Sequence, residues 1–312
     1  MENDREGWPV ANIIAIIWDF DKTLVDGYMQ DPIFKYYGVD SRQFWKEVHA
    51  LPQKYMEEQG VRVNKDSIYL NHFIQYANEG VFEGLNNEML RKFGSELSFY
   101  LGIPEIFEKT RQIIRKNPAY QEYDIKVEHY IVSTGMKEII AGSSVAEYVD
   151  AIWGCELIEK EKDGKSVISE IGYTIDNTSK TRAIFEINKG VPKHPEIDVN
   201  SKVPEELRRV RFENMIYIAD GPSDIPAFSV VNKNGGATFA VYPKGDLDAF
   251  RQVEQMRRDG RIDMYAEADY SEGTTAYMWI ENKITQFAEK MRNAEKEKLT
   301  SSISGAPRHL ED

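Results

Sequence analysis

Two carboxylates, Asp19 and Asp21, stand two residues apart where an apolar run gives out, with Thr23 just beyond them. The run, Val10-Ala-Asn-Ile-Ile-Ala-Ile-Ile-Trp18, is rich in Ile and ended by charge. It reads as a strand of a parallel sheet, buried because helices cover both faces. Open α/β sheets bind ligands outside the carboxyl ends of their strands, which is where this strand leaves its acids. Ser133, Lys180, and Asp220 with Asp224 are the other polar groups that fall at a strand end or a helix start. Singly, each is an ordinary cap or turn former; together they describe a phosphoryl-transfer site.

Acids gathered at adjoining strand ends repel one another unless something positive lies among them, and oxygen donors without a histidine cluster favour Mg²⁺ over zinc. With a metal present, Asp19 stays ionised and attacks phosphorus, and the aspartyl-phosphate splits one difficult hydrolysis into two easier steps. Asp21, two residues on in an extended stretch, projects to the same side and reaches the leaving oxygen. A neighbouring anionic carboxylate raises its pKa in the direction a proton donor needs, and the same group later deprotonates the attacking water. Lys180 near a helix N-terminus adds fixed positive charge. Ser133 and the backbone N–H groups after it, beginning at Thr134, bind the phosphoryl oxygens.

The elements that must position these groups alternate. From Gly27 to Leu101 the spacing turns helical, as in Phe44, Trp45, Val48, Leu51 and then Ile68, Tyr69, Phe73, Tyr76. Pro104 suits the first turn of a helix over 105–115. Val127–Val132 reads as a second buried strand, followed by the loop Ser133-Thr134-Gly135 and a helix from Met136. Val149–Trp153 is a third strand, ahead of two extended segments joined at the turn Lys162-Asp-Gly-Lys165. Asn177 or Thr178 caps a helix that runs to Lys189 and stops at Gly190. Residues 191–204, with three prolines, form a surface loop. Asn214–Ala219 and Ala237–Val241 are further strands, and an amphipathic helix spans 274–296. The expected architecture is α/β: a doubly wound, Rossmann-like parallel sheet made by residues 1–26 and 105–298, an inserted helical cap over 27–104, and a mobile tail over 299–312.

The formal net charge of −13 argues against sequence-independent binding to nucleic acid or to an anionic membrane surface. A single cysteine, Cys155, excludes an intramolecular disulfide and a thiolate metal cluster and fits a reducing, cytoplasmic setting. No signal peptide is expected, because the first residues lack the basic-then-apolar order, and no apolar run approaches a membrane span. His49, His72, His129, His194 and His309 are scattered without metal-ligand spacing.

In this order the motifs resemble the haloacid dehalogenase superfamily: Asp19-x-Asp21-x-Thr23, Ile131-Val-Ser133-Thr-Gly, Lys180 opening a helix, and Asp220-Gly-Pro-Ser-Asp224. The resemblance implies that Asp19 is nucleophile and metal ligand, Asp21 acid/base and ligand through its carbonyl, Asp220 a ligand, and Asp224 a ligand or a support to one. It also implies Mg²⁺ as cofactor and a cap that encloses a small phosphorylated metabolite. The nearest flavour is that of phosphoserine phosphatases, from Asp-Phe-Asp-x-Thr-Leu, Ile-Val-Ser and the hairpin before Lys180. Their glutamate for the substrate ammonium falls at Tyr28 here by an ungapped count, and Asp26 or Asp31 reaches that role only with a shift, so the phosphoserine activity is not carried over. Lys22 replaces a small residue of that subgroup and either touches substrate or faces solvent; with Tyr28 it is a substrate-contact candidate.

Asp21 separates the chain from the dehalogenases of the superfamily, whose halide leaves without a proton. The P-type ATPase register fails because Val25 stands where Thr is required. A phosphoacceptor receiver or other non-hydrolytic ligand-binding module is the rival reading, but a receiver's lysine follows every acid whereas Lys180 precedes Asp220. The aromatic residues Tyr36, Tyr37, Phe44, Trp45, Tyr69, Phe73 and Tyr76 either line a substrate pocket or form the insert's own core, and helical spacing favours core. Arg42, Arg62 and Arg91 are the basic candidates for a second anionic group on the substrate.

Overall fold

The computed structural model describes residues 12–162 and 164–303. Val10 and Ala11 of the expected first strand, Asp163 of the hairpin turn, His309 and the tail from residue 304 lie outside the described residues. In chain order the elements are β1 (Ile13–Trp18), α1 (Asp31–Tyr37), α2 (Ser41–Gln59), α3 (Ile68–Asn78), α4 (Asn87–Gly94), α5 (Glu105–Arg115), α6 (Pro118–Gln121), β2 (Lys126–Met136), α7 (Lys137–Gly142), β3 (Ala151–Lys162) and β4 (Lys165–Tyr173). They continue with α8 (Ser179–Lys189), β5 (Met215–Ala219), α9 (Ile225–Lys233), β6 (Ala237–Tyr242), α10 (Leu247–Arg258), β7 (Met264–Glu267) and α11 (Thr275–Ile303).

All seven strands join one sheet in the order β4-β3-β2-β1-β5-β6-β7. Every pairing is parallel except β3 with β4, which is antiparallel. β1 is fully buried, and its alternation serves both faces: Ile14, Ile16 and Trp18 enter one apolar cluster, Ile13, Ala15 and Ile17 the other. On the first face lie α5 and α11, through Ile106, Phe107, Ile280 and Ile284. On the second lie α8, α9 and α10, through Ile184, Ile187, Phe228, Val231 and Val253. Each such side chain, taken from water, contributes roughly 1.5–3 kcal/mol. The chain leaves β1 toward β2 and later returns to β5 on the opposite side, so the strand order reverses at β1. Loops part at such a switch point and leave a crevice.

Helices α1–α4 pack through α4 on α7 and through α3 on β4, and their buried residues Phe34, Phe44 and Phe73, with Phe82 of the α3–α4 connection, belong to the same apolar cluster as Trp18. α4 and α7 touch backbone to backbone. A Cβ on Gly142 would lie 1.9 Å from the Arg91 carbonyl oxygen, and one on Gly94 would lie 2.0 Å from that of Ile139, so only glycine fits either position. The β3–β4 hairpin reaches up to the helices as well: Ile168 N–H donates to the Leu85 carbonyl at 2.9 Å.

Several sequence boundaries move. β2 continues through Ser133, Thr134 and Gly135 to Met136 with an irregularity in its pairing to β3, so these residues are extended backbone and not a loop, and the helix begins at Lys137. The third strand starts at Ala151 and runs on without a break to Lys162, its first part paired with β2 and the rest with β4. Thr178 occupies the N-cap of α8 but makes no side-chain cap; the Asp176 carboxylate accepts the Thr178 and Ser179 N–H groups. Gly190, at φ 85°, ends α8 as expected. Residues 299–303 are the last turn of α11, so helix extends into the stretch expected to be tail.

Candidate active site

Three adjacent strands of the switch point deliver the expected groups to one crevice. Asp19 directly follows β1 and its N–H donates to the Ile218 carbonyl of β5 at 2.9 Å, and Asp220 directly follows β5. β2 brings Ser133, which is buried and accepts the Gly135 N–H at 3.0 Å. Lys180, in the first turn of α8, is 1% exposed. Its ammonium donates to Asp19 Oδ1 at 2.7 Å and to Asp224 Oδ1 at 2.6 Å. Asp19 Oδ2 accepts the Thr23 hydroxyl at 3.2 Å, and Asp224 accepts the hydroxyls of Tyr217 at 2.7 Å and Ser223 at 2.8 Å. The Asp21 carboxylate accepts the Met29 N–H at 2.8 Å. The Met29 side chain lies against Gly135, where a Cβ would meet Met29 Cε at 2.1 Å.

Burial sets the charges. It pushes Asp19 up to about 6 against the pull of Lys180. Burial and then the Asp19 charge hold Asp21 well above the usual carboxylate range, and burial with the Asp19 and Asp224 charges pushes Asp220 up to about 8. Lys180 is held above its ordinary value: burial opposes its charge, but the two carboxylates outweigh it. Among the described residues one group of acids is arranged to hold a metal: Asp19, Asp220 and Asp224, each offering an oxygen within 4.8 Å of the others. The Asp220 carboxylate accepts no hydrogen bond among the described residues, and oxygen-only donors suit a hard cation. The Asp21 carboxylate lies outside that group.

No family model matches the chain. Over 296 residues the chain is 38% identical to an uncharacterized protein of Borreliella burgdorferi, covering 90% of this chain and 98% of that one. It belongs to that protein's family. Among solved structures, this family member is similar to a HAD family hydrolase of Salmonella enterica serovar Typhi (15% identity, 83% of this chain and 68% of that chain, TM-score 0.47). It is also similar to a phosphoserine phosphatase captured as a phospho-aspartyl intermediate analogue (18%, 81% and 93%, TM-score 0.45) and to cytosolic 5'-nucleotidase IIIB bound to cytidine (13%, 91% and 87%, TM-score 0.44). At TM-scores below 0.5 these likenesses carry no assignment.

In this family member Lys22 has a left-handed backbone, φ 55°, a costly conformation outside glycine, and its ammonium sits 4.5 Å from the centre of the Tyr28 ring. Thr134 is at the crevice through its main chain, its carbonyl accepting the Tyr69 hydroxyl at 2.9 Å. Of the three arginines, Arg91 is paired with Glu138, Arg62 is exposed, and Arg42 lines a groove on α2. Phe44 and Phe73 are core as the spacing implied, but Trp45 is only partly buried, and Tyr36 is 64% exposed. Sequence reasoning missed Tyr217 and Met29 as neighbours of the site, and Tyr69, for which core was favoured over pocket, is buried yet reaches the Thr134 carbonyl with its hydroxyl. Tyr217 carried a signal: a tyrosine in the middle of a buried strand needs a partner for its hydroxyl. Met29 acts through its backbone N–H, which no side-chain pattern marks.

Proposed function

We propose that this chain is a Mg²⁺-dependent phosphomonoesterase of the haloacid dehalogenase superfamily, acting on a small phosphorylated metabolite through an aspartyl-phosphate on Asp19. The observation that carries the reading is the buried Lys180 ammonium held between Asp19 and Asp224, with Asp220 beside them, at the switch point of a parallel sheet. A structural ion pair needs one carboxylate; three acids around one lysine, when all are ionised, leave an excess of negative charge that a bound cation would balance. Bound by Asp19, Asp220 and Asp224, Mg²⁺ would supply charge neutralisation for these acids and for the phosphoryl oxygens.

An Asp19 oxygen attacks phosphorus and the bond to the leaving oxygen breaks. Asp21, kept protonated by burial and by the Asp19 charge, passes its proton to that oxygen. Water then attacks the phosphorus of the aspartyl-phosphate, Asp21 takes its proton, and inorganic phosphate leaves. Ser133 and the Thr134 N–H bind the phosphoryl oxygens, and Lys180 orients Asp19. Residues 27–104 act as a cap over the core formed by 1–26 and 105–298, and exclude water from the first step. Lys22 and Tyr28 stand at the leaving-group side.

A phosphate-release screen over sugar phosphates, nucleotides, phosphoamino acids and cofactor phosphates tests this. Turnover that stops with chelator, returns with magnesium and disappears in Asp19→Asn is the expected outcome. Turnover unaffected by chelation would remove the metal, and near-normal turnover in Asp19→Asn would remove the nucleophile.

A further inference from the structure

Helix α2 has two faces. Phe44, Val48 and Leu51 make the buried stripe. Arg42, Trp45, Lys46 and His49, at spacings of three, four and seven, make a second stripe that lines a groove of about 700 Å³ together with Tyr28. That is the size of a small-molecule site, larger than a phosphoryl group needs.

Two residues of the groove, Tyr28 and Trp45, have neighbours that reach the catalytic crevice. Tyr28 carries the Lys22 ammonium on its ring, next in sequence to Asp21, and precedes Met29, whose N–H holds the Asp21 carboxylate. On the other side the Trp45 ring lies 5.8 Å from that of Tyr69, whose hydroxyl is bound to the Thr134 carbonyl. A phosphoester with its phosphorus at Asp19 whose leaving group extends past Met29 or Tyr69 would meet Tyr28 and Trp45.

The chemistry of the walls is selective. The Tyr28 and Trp45 rings lie 6.2 Å apart, already in contact, so a planar group lies across them and not between them. Arg42 and Lys46 form no ion pair among the described residues, although the chain carries a net charge of −13. The acid on this wall, Asp31, is engaged by the Tyr28 N–H at 3.1 Å. Two unpaired cations beside two rings fit a planar, aromatic group bearing its own negative charge.

We infer that the α2 face formed by Arg42, Trp45, Lys46 and His49, with Tyr28, binds the substrate's leaving group, and that this group is an aromatic ring with an anionic substituent. The inference rests on the phosphatase reading for its orientation. The test compares KM for 4-carboxyphenyl phosphate, phenyl phosphate and glycerol 2-phosphate in the unaltered protein, in Arg42→Glu/Lys46→Glu and in Trp45→Ala. The double variant changes exposed residues and leaves the buried stripe intact. The expected KM for 4-carboxyphenyl phosphate is about tenfold or more below that for glycerol 2-phosphate; the double variant loses the advantage over phenyl phosphate, and Trp45→Ala loses both aryl preferences. Equal KM values for the three esters, or a carboxylate preference that survives the double variant, would overturn the inference. Calorimetry with 4-carboxyphenylphosphonate, which needs no turnover, separates the two readings. Binding weakened about tenfold in the double variant supports the groove even where no ester is hydrolysed, in which case the phosphatase reading alone fails. Equal binding by both proteins with turnover intact would overturn the groove and leave the phosphatase reading standing.

Discussion

Replacing Lys180 by Met keeps the length of the side chain and removes its charge from the centre of the site. The ammonium is 1% exposed and makes two short charge-assisted contacts, 2.7 Å to Asp19 and 2.6 Å to Asp224. Deleting one partner of a buried ionic set costs about 3–5 kcal/mol, because the remaining charges stay buried without compensation. Here those charges are three carboxylates with oxygens within 4.8 Å of one another. The remedy open to the variant is protonation. Even with the lysine in place, burial pushes Asp19 up to about 6 and Asp220 up to about 8, and both rise further without it. An acid whose folded pKa exceeds its unfolded value binds more protons folded than unfolded, so its contribution to stability falls as pH rises from the unfolded pKa to the folded one. In chelator at pH 8 the variant should therefore be less stable by about 3–5 kcal/mol, a drop in Tm on the order of 10 °C for a chain of this size. At pH 5, where Asp19 and Asp220 are neutral, less than half of that deficit should remain. Thermal and urea unfolding followed by circular dichroism at the two pH values measures it. A deficit below about 1 kcal/mol at pH 8, or the same deficit at both pH values, would refute the reasoning.

Tyr217→Phe removes the hydroxyl donated to Asp224 at 2.7 Å and should lower stability by about 1.5–3 kcal/mol, read by urea midpoint; an unchanged midpoint would show that the bond contributes nothing. Gly142→Ala forces a methyl group to within 1.9 Å of the Arg91 carbonyl and should cost about 1–3 kcal/mol or more by separating α4 from α7, whereas a neutral effect would contradict that backbone contact. His129 accepts the Trp18 indole N–H at 3.1 Å on Nδ1 and faces the Thr110 hydroxyl at 3.0 Å with Nε2; burial, then the Arg111 charge, holds its pKa well below the ordinary 6.5. Below pH 6.5 the unfolded chain binds a proton that the folded one refuses, so stability should fall with decreasing pH by up to about 1.4 kcal/mol per unit, and nitrogen chemical shifts should show a neutral ring at pH 5.5; a ring that charges near 6.5 would contradict its environment.

The parts of the fold that the sequence made legible are those where one physical demand dominates. β1 is recognisable because a strand buried on both faces must be apolar throughout, and Asp19 because charge ends that run. α8 is recognisable from its period and from Gly190, whose left-handed conformation excludes most other residues. α10 and β7 were not assigned. β7 is a four-residue edge strand with one buried residue, and α10 buries only Val253 and Met256, so neither carries enough apolar pattern to stand out. Extension of β2 through Gly135 was hidden because Ser-Thr-Gly has the composition of a turn, while the neighbouring β3 and the Met29 side chain determine its path. At the site, side chains that meet by charge, Asp19, Lys180, Asp220 and Asp224, were legible as a set. Contacts made by main chain or by hydroxyls, such as those of Met29, Tyr69 and Tyr217, depend on distant pairings that no local spacing encodes.

The central claim is that phosphorus is transferred to Asp19. Acid quench of a reaction with a substrate identified by the phosphate-release screen, followed by mass spectrometry of the peptides, reads this directly. The expected result is one phosphoryl group on the peptide carrying Asp19, lost in Asp19→Asn and retained where only Lys22 is changed. Steady phosphate release with no phosphoryl group on that peptide at any quench time, or with the group on another residue, would contradict it.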